Sequence, residues 1–164
     1  MAEVSIVLIS QDRHFIPTKE AFEAVKSLME NYFPDRGNEV EYRISKNPRL
    51  ITSHDSFEEL SCPECGETVM RFELDEDDDG ETWWDHFEQK LDESDDATTV
   101  RIQMPCCNHE VEVVNINFGR DAGFSKFEFR LCDPGDHIEV TDEQKSSLEK
   151  ILECPLIQIT SVNS

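Results

Sequence analysis

The chain has 164 residues, 37% of them hydrophobic, and a formal net charge of −22 from 37 acidic and 15 basic side chains. That size supports a single core, and the charge disfavours nucleic acid and anionic membrane surfaces, whose phosphates it would repel. No stretch approaches the roughly 20 apolar residues of a membrane span, and Glu3 interrupts the short apolar start that a leader would need.

In chain order, VSIVLIS (4–10) reads as a buried strand. PTKEAFEAVKSLMENYF (17–33) reads as a helix opened by Pro17, with Phe22, Val25, Leu28 or Met29, and Tyr32 on one face. PDRGN (34–38) ends it, and EVEYRI (39–44) alternates as a strand, so the first 50 residues have a β-α-β pattern. An irregular middle follows, holding CPECG (62–66), a strand-like TVMRFEL (68–74), an acidic run, and a helix over 82–93 with Trp83, Phe87 and Leu91 at four-residue spacing. Segments 98–104 and 109–118 are expected strands, 118–123 a loop, and FSKFEFRL (124–131) an alternating strand with Phe127, Phe129 and Leu131 on one face. CDPGD (132–136) is a turn. Thr141 and Gln144 form a capping box for a helix over 141–153 that buries Leu148, Ile151 and Leu152, and 155–162 can be a last strand. The expected fold class is α+β: a mixed or antiparallel sheet with two or three helices and a zinc-ribbon-like insertion. The whole chain, 1–164, is expected to be a single domain, with 58–118 as a zinc-knuckle insertion containing an acidic helix-loop segment.

Four of the six cysteines carry the clearest chemistry. Cys62 and Cys65 stand in a Cys-x-x-Cys turn whose Gly66 lets backbone amides approach the thiolates. Aligning PEC-G (63–66) on PCC-N (105–108) sets Cys107 on Cys65, Pro105 on Pro63 and Asn108 on Gly66. Met104 then occupies the place of Cys62, and Cys106 that of Glu64. The second knuckle is irregular, with its two sulfurs adjacent. A structural Zn²⁺ held by Cys62, Cys65, Cys106 and Cys107 is the expected site, with His109 as an alternative fourth ligand. Core cysteines or a reducible pair remain the plain alternative. Cys132 and Cys154 read as small core residues.

DEDDDGE (75–81) has Asp75, Asp77, Asp79 and Gly80 where a calcium loop would, but its twelfth position is His86 rather than a bidentate Glu. Glu73 to Asp96 holds 13 acidic residues and one basic, Lys90. Carboxylates around an aromatic can present phosphate-like charge and an apolar anchor to a basic protein. Asp77, Asp78, Asp79, Trp84 and Asp85 are the candidate partner-binding residues. Trp84 is chosen because Trp83 and Trp84 cannot both face the core from one helix. The plain alternative is a solvated loop and an ordinary helix.

No nucleophile elbow, phosphate-cradling loop or His-Glu-x-x-His is present, and His14, His54, His86, His109 and His137 are dispersed. No catalytic residue is assigned, and no enzyme activity is expected. Over 98–131, Arg101, Arg120, Lys126 and Arg130 balance Glu110, Glu112, Asp121 and Glu128, so there is no basic stripe for nucleic acid.

CPECG, WWDHF (83–87), PCC (105–107), AGFSKFEFRL (122–131), DPG (133–135) and LEKILECPLIQI (148–159) together resemble a group of small, uncharacterised bacterial single-domain zinc-ribbon-like proteins. Only the cysteine pieces are specific, and Asn108 stands where such members have Gly. The resemblance implies zinc and a bacterial cytosol and supplies no activity. The expected function is a non-enzymatic, zinc-stabilised acidic binding protein. It would neutralise a basic protein partner such as a toxin, as an immunity protein or antitoxin does. A zinc-ribbon regulatory or nucleic-acid-associated protein and a structural scaffold are the alternatives. No nucleic acid or membrane partner and a cytoplasmic location are expected.

Overall fold

The computed structural model describes residues 3–33, 40–71, 82–132, 134 and 139–163. Among these residues the fold is α+β, with three helices, an antiparallel sheet of four strands and two small sheets. The chain divides into two compact units, Met1–Ser56 with Arg120–Ser164, and Phe57–Gly119.

The first, here the sheet unit, is built on β1 (Glu3–Ser10), β2 (Glu41–Thr52), β7 (Ala122–Cys132) and β8 (Leu156–Asn163), in the order β2-β7-β1-β8. β1 runs antiparallel to both β7 and β8, and β2 antiparallel to β7. The β-α-β start is therefore split: β1 and β2 are parallel to each other, with β7 between them. Strand β1 is apolar on both faces because it is central. Ile6 and Leu8 join the core that includes the two helices, while Val7 and Ile9 pack with Ile159 on the other face.

Helix α1 (Lys19–Tyr32) begins at an N-cap, Thr18, whose hydroxyl accepts from the Ala21 amide, so Pro17 lies just outside it. It buries Phe22, Val25 and Met29. Phe22 stacks on Tyr42 at 5.1 Å and meets Phe127 edge-on at 5.3 Å, joining α1 to β2 and β7. Helix α3 (Asp142–Leu152) has the Thr141–Gln144 capping box and buries Leu148 and Leu152. Strand β7 alternates as its sequence does, with Phe127, Phe129 and Leu131 all buried on the helix side. Its register with β2 slips between Ile44 and Arg49, where β2 bulges.

The second, the knuckle unit, contains two small hairpins and a helix. β3 (Glu59–Ser61) pairs with β4 (Thr68–Met70), and β5 (Arg101–Gln103) with β6 (Glu110–Glu112). Helix α2 (Trp83–Asp92) starts with a capping box between Thr82 and Asp85. The strands expected over 98–104 and 109–118 are shorter than that. A 3-10 turn at Ala97–Thr99 precedes β5, and another at Val113–Asn115 follows β6. The Asp96 carboxylate accepts from the Thr98 amide at 3.0 Å and its hydroxyl at 2.6 Å, a local turn that displaces the start of the strand.

Candidate metal centre

Each hairpin closes through a six-residue knuckle with the same backbone hydrogen bonds. In the first, the Gly66 amide donates to the Cys62 carbonyl at 3.0 Å and the Cys62 amide to the Glu67 carbonyl at 2.9 Å. In the second, the Asn108 amide donates to the Met104 carbonyl at 3.0 Å and the Met104 amide to the His109 carbonyl at 2.8 Å. Both turns need a left-handed residue, which Gly66 supplies at φ 77° and Asn108 at φ 62°. Met104 thus takes the backbone place of Cys62. Its side chain is fully buried and serves the core instead. The correspondence extends beyond the knuckles: Leu60 opposite Val69 and Ile102 opposite Val111 are the buried cross-strand pairs of the two hairpins. Three-residue strands are too short to announce themselves by alternation, so only the turn chemistry marks this repeat in the sequence.

The two turns bring four sulfurs together. Those of Cys62, Cys65, Cys106 and Cys107 all lie within 4.8 Å of one another and could hold a metal ion. Cys62 and Cys107 sulfurs are 3.8 Å apart, and Cys65 and Cys106 3.3 Å. A tetrahedron of metal–sulfur bonds of about 2.3 Å has an edge of about 3.8 Å, so the set fits one ion with small adjustments. Cys62 is buried and Cys65 exposed, with the other two between. His109 is exposed, and its imidazole does not belong to this group. It acts through its backbone amide, which hydrogen-bonds the Cys107 thiol.

The same amides tune the thiols. Burial raises the Cys62 pKa, but the Cys65 and Glu64 amides, with the Cys106 and Cys65 thiols, outweigh it and hold Cys62 down at about 7. The Glu64 amide stands 3.4 Å from the Cys62 sulfur. Burial and the neighbouring thiols push Cys106 up. At Cys107 the His109 amide lowers the pKa, yet burial and the Cys62 and Cys65 thiols leave it raised. Without metal the cluster therefore favours a thiolate at Cys62 with protonated neighbours donating to it, rather than four charges at once. A cation would stabilise all four as thiolates.

The remaining candidates are distributed differently. Asp77, Asp78 and Asp79, with the rest of the calcium-loop-like run through Glu81, lie outside the described residues. His86 is exposed on α2. Asp85 is exposed and serves as the third residue of the α2 capping box. Trp84 is not an exposed anchor: it is 2% exposed and packs edge-on against Phe57 at 4.9 Å and Phe87 at 5.8 Å. Its indole N–H donates to Glu88 Oε1 at 2.8 Å. Trp83 is the partly exposed tryptophan, stacked on Phe87 at 5.3 Å, with its N–H donating to the Gln103 carbonyl at 2.8 Å. The buried face of α2 runs through Trp84 and Phe87, three residues apart, rather than through Trp83, Phe87 and Leu91. Cys154 is buried in the sheet unit's core and Cys132 is partly buried at the end of β7, and burial raises both thiol pKa values.

No helix among the described residues is long and apolar enough to cross a membrane. Compared with family models, curated proteins and solved structures, the chain matches none.

Proposed function

We propose that this chain is a non-enzymatic acidic binding protein, stapled by structural zinc, that recognises a basic protein partner. The observation carrying the metal half is the gathering of four cysteine sulfurs within 4.8 Å from two equivalent turns. Four sulfur ligands on a tetrahedral ion suit zinc and leave no open position for substrate or water, so the ion's role is to hold the two hairpins together. The partner half is supported by charge: 13 of the 37 acidic residues lie between Glu73 and Asp96. Such a field accelerates association with a basic surface, and a toxin that acts on nucleic acid presents one. In this reading the protein is an immunity protein or antitoxin of a bacterial cytosol. Asp77, Asp78, Asp79 and Asp85 supply the charge, and Trp83 replaces Trp84 as the apolar contact.

Two measurements test the two halves separately. Metal analysis and X-ray absorption of the purified protein should give one zinc per chain with four sulfur neighbours. A nitrogen or water ligand would point to His109 or to an open, reactive site. The tagged chain should capture a basic protein stoichiometrically. Changing Asp77, Asp78 and Asp79 to Asn should weaken that complex at least about tenfold at low salt and flatten its salt dependence. Unaltered affinity and salt slope in the triple variant would remove the acidic segment from the interface.

A further inference from the structure

Four sulfurs within 4.8 Å of one another can share a metal ion, and they are also near enough to react with each other. Two regular Cys-x-x-Cys knuckles would each close on themselves when oxidised, and the hairpins would part as the metal left. This chain cannot follow that course in both turns. Cys106 and Cys107 are neighbours, and the Cα atoms of neighbours across a trans peptide stand about 3.8 Å apart. Disulfides span about 4.4–6.8 Å between Cα atoms, so a Cys106–Cys107 bond is strained and readily reduced.

Access and distance select among the remaining pairs. Cys65 is the exposed member of the cluster, and Cys106 is partly exposed. Their sulfurs stand 3.3 Å apart, closer than the 3.8 Å between those of Cys62 and Cys107. Cys62 is 3% exposed, and its sulfur accepts from the Glu64 amide at 3.4 Å, so an oxidant from solvent does not reach it first. Cys65 and Cys106 lie 41 positions apart, one in each turn. A bond between them ties the β3–β4 hairpin to the β5–β6 hairpin, as the metal does. It also closes a long loop, the kind of cross-link that restrains the unfolded chain most.

Resting on the metal reading above, we propose that Cys65 and Cys106 are a site of oxidation by hydroperoxides, where a disulfide replaces the metal as the staple between the hairpins. With hydrogen peroxide, the Cys65 thiolate attacks one oxygen and the O–O bond breaks. Cys65 becomes a sulfenic acid, and the departing hydroxide takes a proton and leaves as water. The Cys106 thiolate then attacks the Cys65 sulfur. The S–S bond forms, and the second hydroxide leaves as water with another proton. Two thiolates have given up two electrons, one peroxide has become two waters, and the ion, left with Cys62 and Cys107, dissociates. The irregular second knuckle thus keeps the hairpins joined when the metal is lost to an oxidant.

Hydrogen peroxide added to the intact, zinc-loaded protein until half the zinc appears in the ultrafiltrate tests this. Remaining thiols are then alkylated and the unreduced digest is mapped by mass spectrometry, with fragmentation placing the label on Cys62 or Cys65 and on Cys106 or Cys107. The Cys65–Cys106 bond should exceed every other pairing at least about tenfold, with one disulfide per zinc released. Tryptophan emission should stay in place as peroxide expels the zinc, and shift to the red when a chelator removes it from the reduced chain. Cys106→Ser should move the bond to Cys62–Cys65 and let the emission shift to the red on oxidation. A first bond between Cys62 and Cys65 or between Cys106 and Cys107 in the parent chain, sulfinic acids in place of a disulfide, or a red shift despite the Cys65–Cys106 bond would each overturn the proposal. If the purified chain takes up no zinc, the metal reading fails by itself. The same map on that metal-free chain then decides the pairing: a Cys65–Cys106 bond upholds the oxidation site, and any other bond removes it.

Discussion

In the sheet unit, Phe22, Val25 and Met29 of α1 and Leu148 and Leu152 of α3 share one core with Phe127, Phe129 and Leu131 of β7. In the knuckle unit, the hairpins offer Leu60, Val69, Ile102, Met104 and Val111, flanked by Val100, Val113 and Ile116, and α2 adds Trp84 and Phe87 against Phe57 and Phe118. The first unit closes a sheet over helices through long-range strand pairing. The second joins two three-residue ladders whose tips bear the sulfurs. A segment of roughly 60 residues is marginal on its core alone, and a metal is one of the few devices that stabilise such a piece. The difference shows where each unit's order should fail first.

Metal removal should produce the largest effect. Structural zinc contributes about 10–16 kcal/mol of apparent binding free energy in zinc-finger peptides, more than a small unit's own stability. Trp83 and Trp84 are the chain's two tryptophans, and both lie in the knuckle unit, so their emission reports on that unit alone. Chelation should shift the emission to the red and open the β3–β6 amides to exchange, while those of β1, β7 and β8 stay protected. Unchanged emission would show that the knuckle unit stands without metal. Equal loss in both units would make them one cooperative body. Because Cys106 and Cys107 hold their protons and Cys62 loses its own only near 7, metal uptake must release protons. Affinity should therefore rise with pH, and chelation should succeed more readily as pH falls through about 7.

Features set by near neighbours were readable in the sequence. The Thr141–Gln144 cap, the alternation of β7 and the two knuckle turns each depend on residues a few positions apart. The features that were not readable depend on distant partners. Trp83 and Trp84 fit a helix face about equally well beside Phe87; Phe57, far along the chain, packs on Trp84 and selects it. The split of β1 and β2 arises from β7, which enters after the whole knuckle unit.

The second effect in size reverses the first. Phe129 is fully buried between Phe22, Tyr42 and Phe127. Phe129→Ala should cost the sheet unit about 3–5 kcal/mol. Followed by far-UV circular dichroism, the main denaturation midpoint should fall, while the midpoint of tryptophan emission in metal-loaded protein stays put. A joint fall of both midpoints would show that the knuckle unit borrows stability from the sheet.

The smallest effect separates the two halves of the metal centre. Gly66 and Asn108 occupy the same left-handed position in equivalent turns. A Cβ on Gly66 would meet nothing within 4 Å, so Gly66→Ala introduces backbone strain without a clash. That strain is about 1–2 kcal/mol, and Gly66→Asn should cost less because Asn tolerates the conformation. Asn108→Gly relieves what strain Asn retains but gives the unfolded chain more freedom, so its net effect should stay within about 0.5 kcal/mol. The expected order of metal affinity is Asn108→Gly near the parent, then Gly66→Asn, then Gly66→Ala. If Gly66→Ala matched the parent, the sulfurs alone would shape the site and the turns would merely follow. If Asn108→Gly weakened binding as much as Gly66→Ala, the second turn would depend on its asparagine side chain, and the equivalence of the two knuckles would end at the backbone.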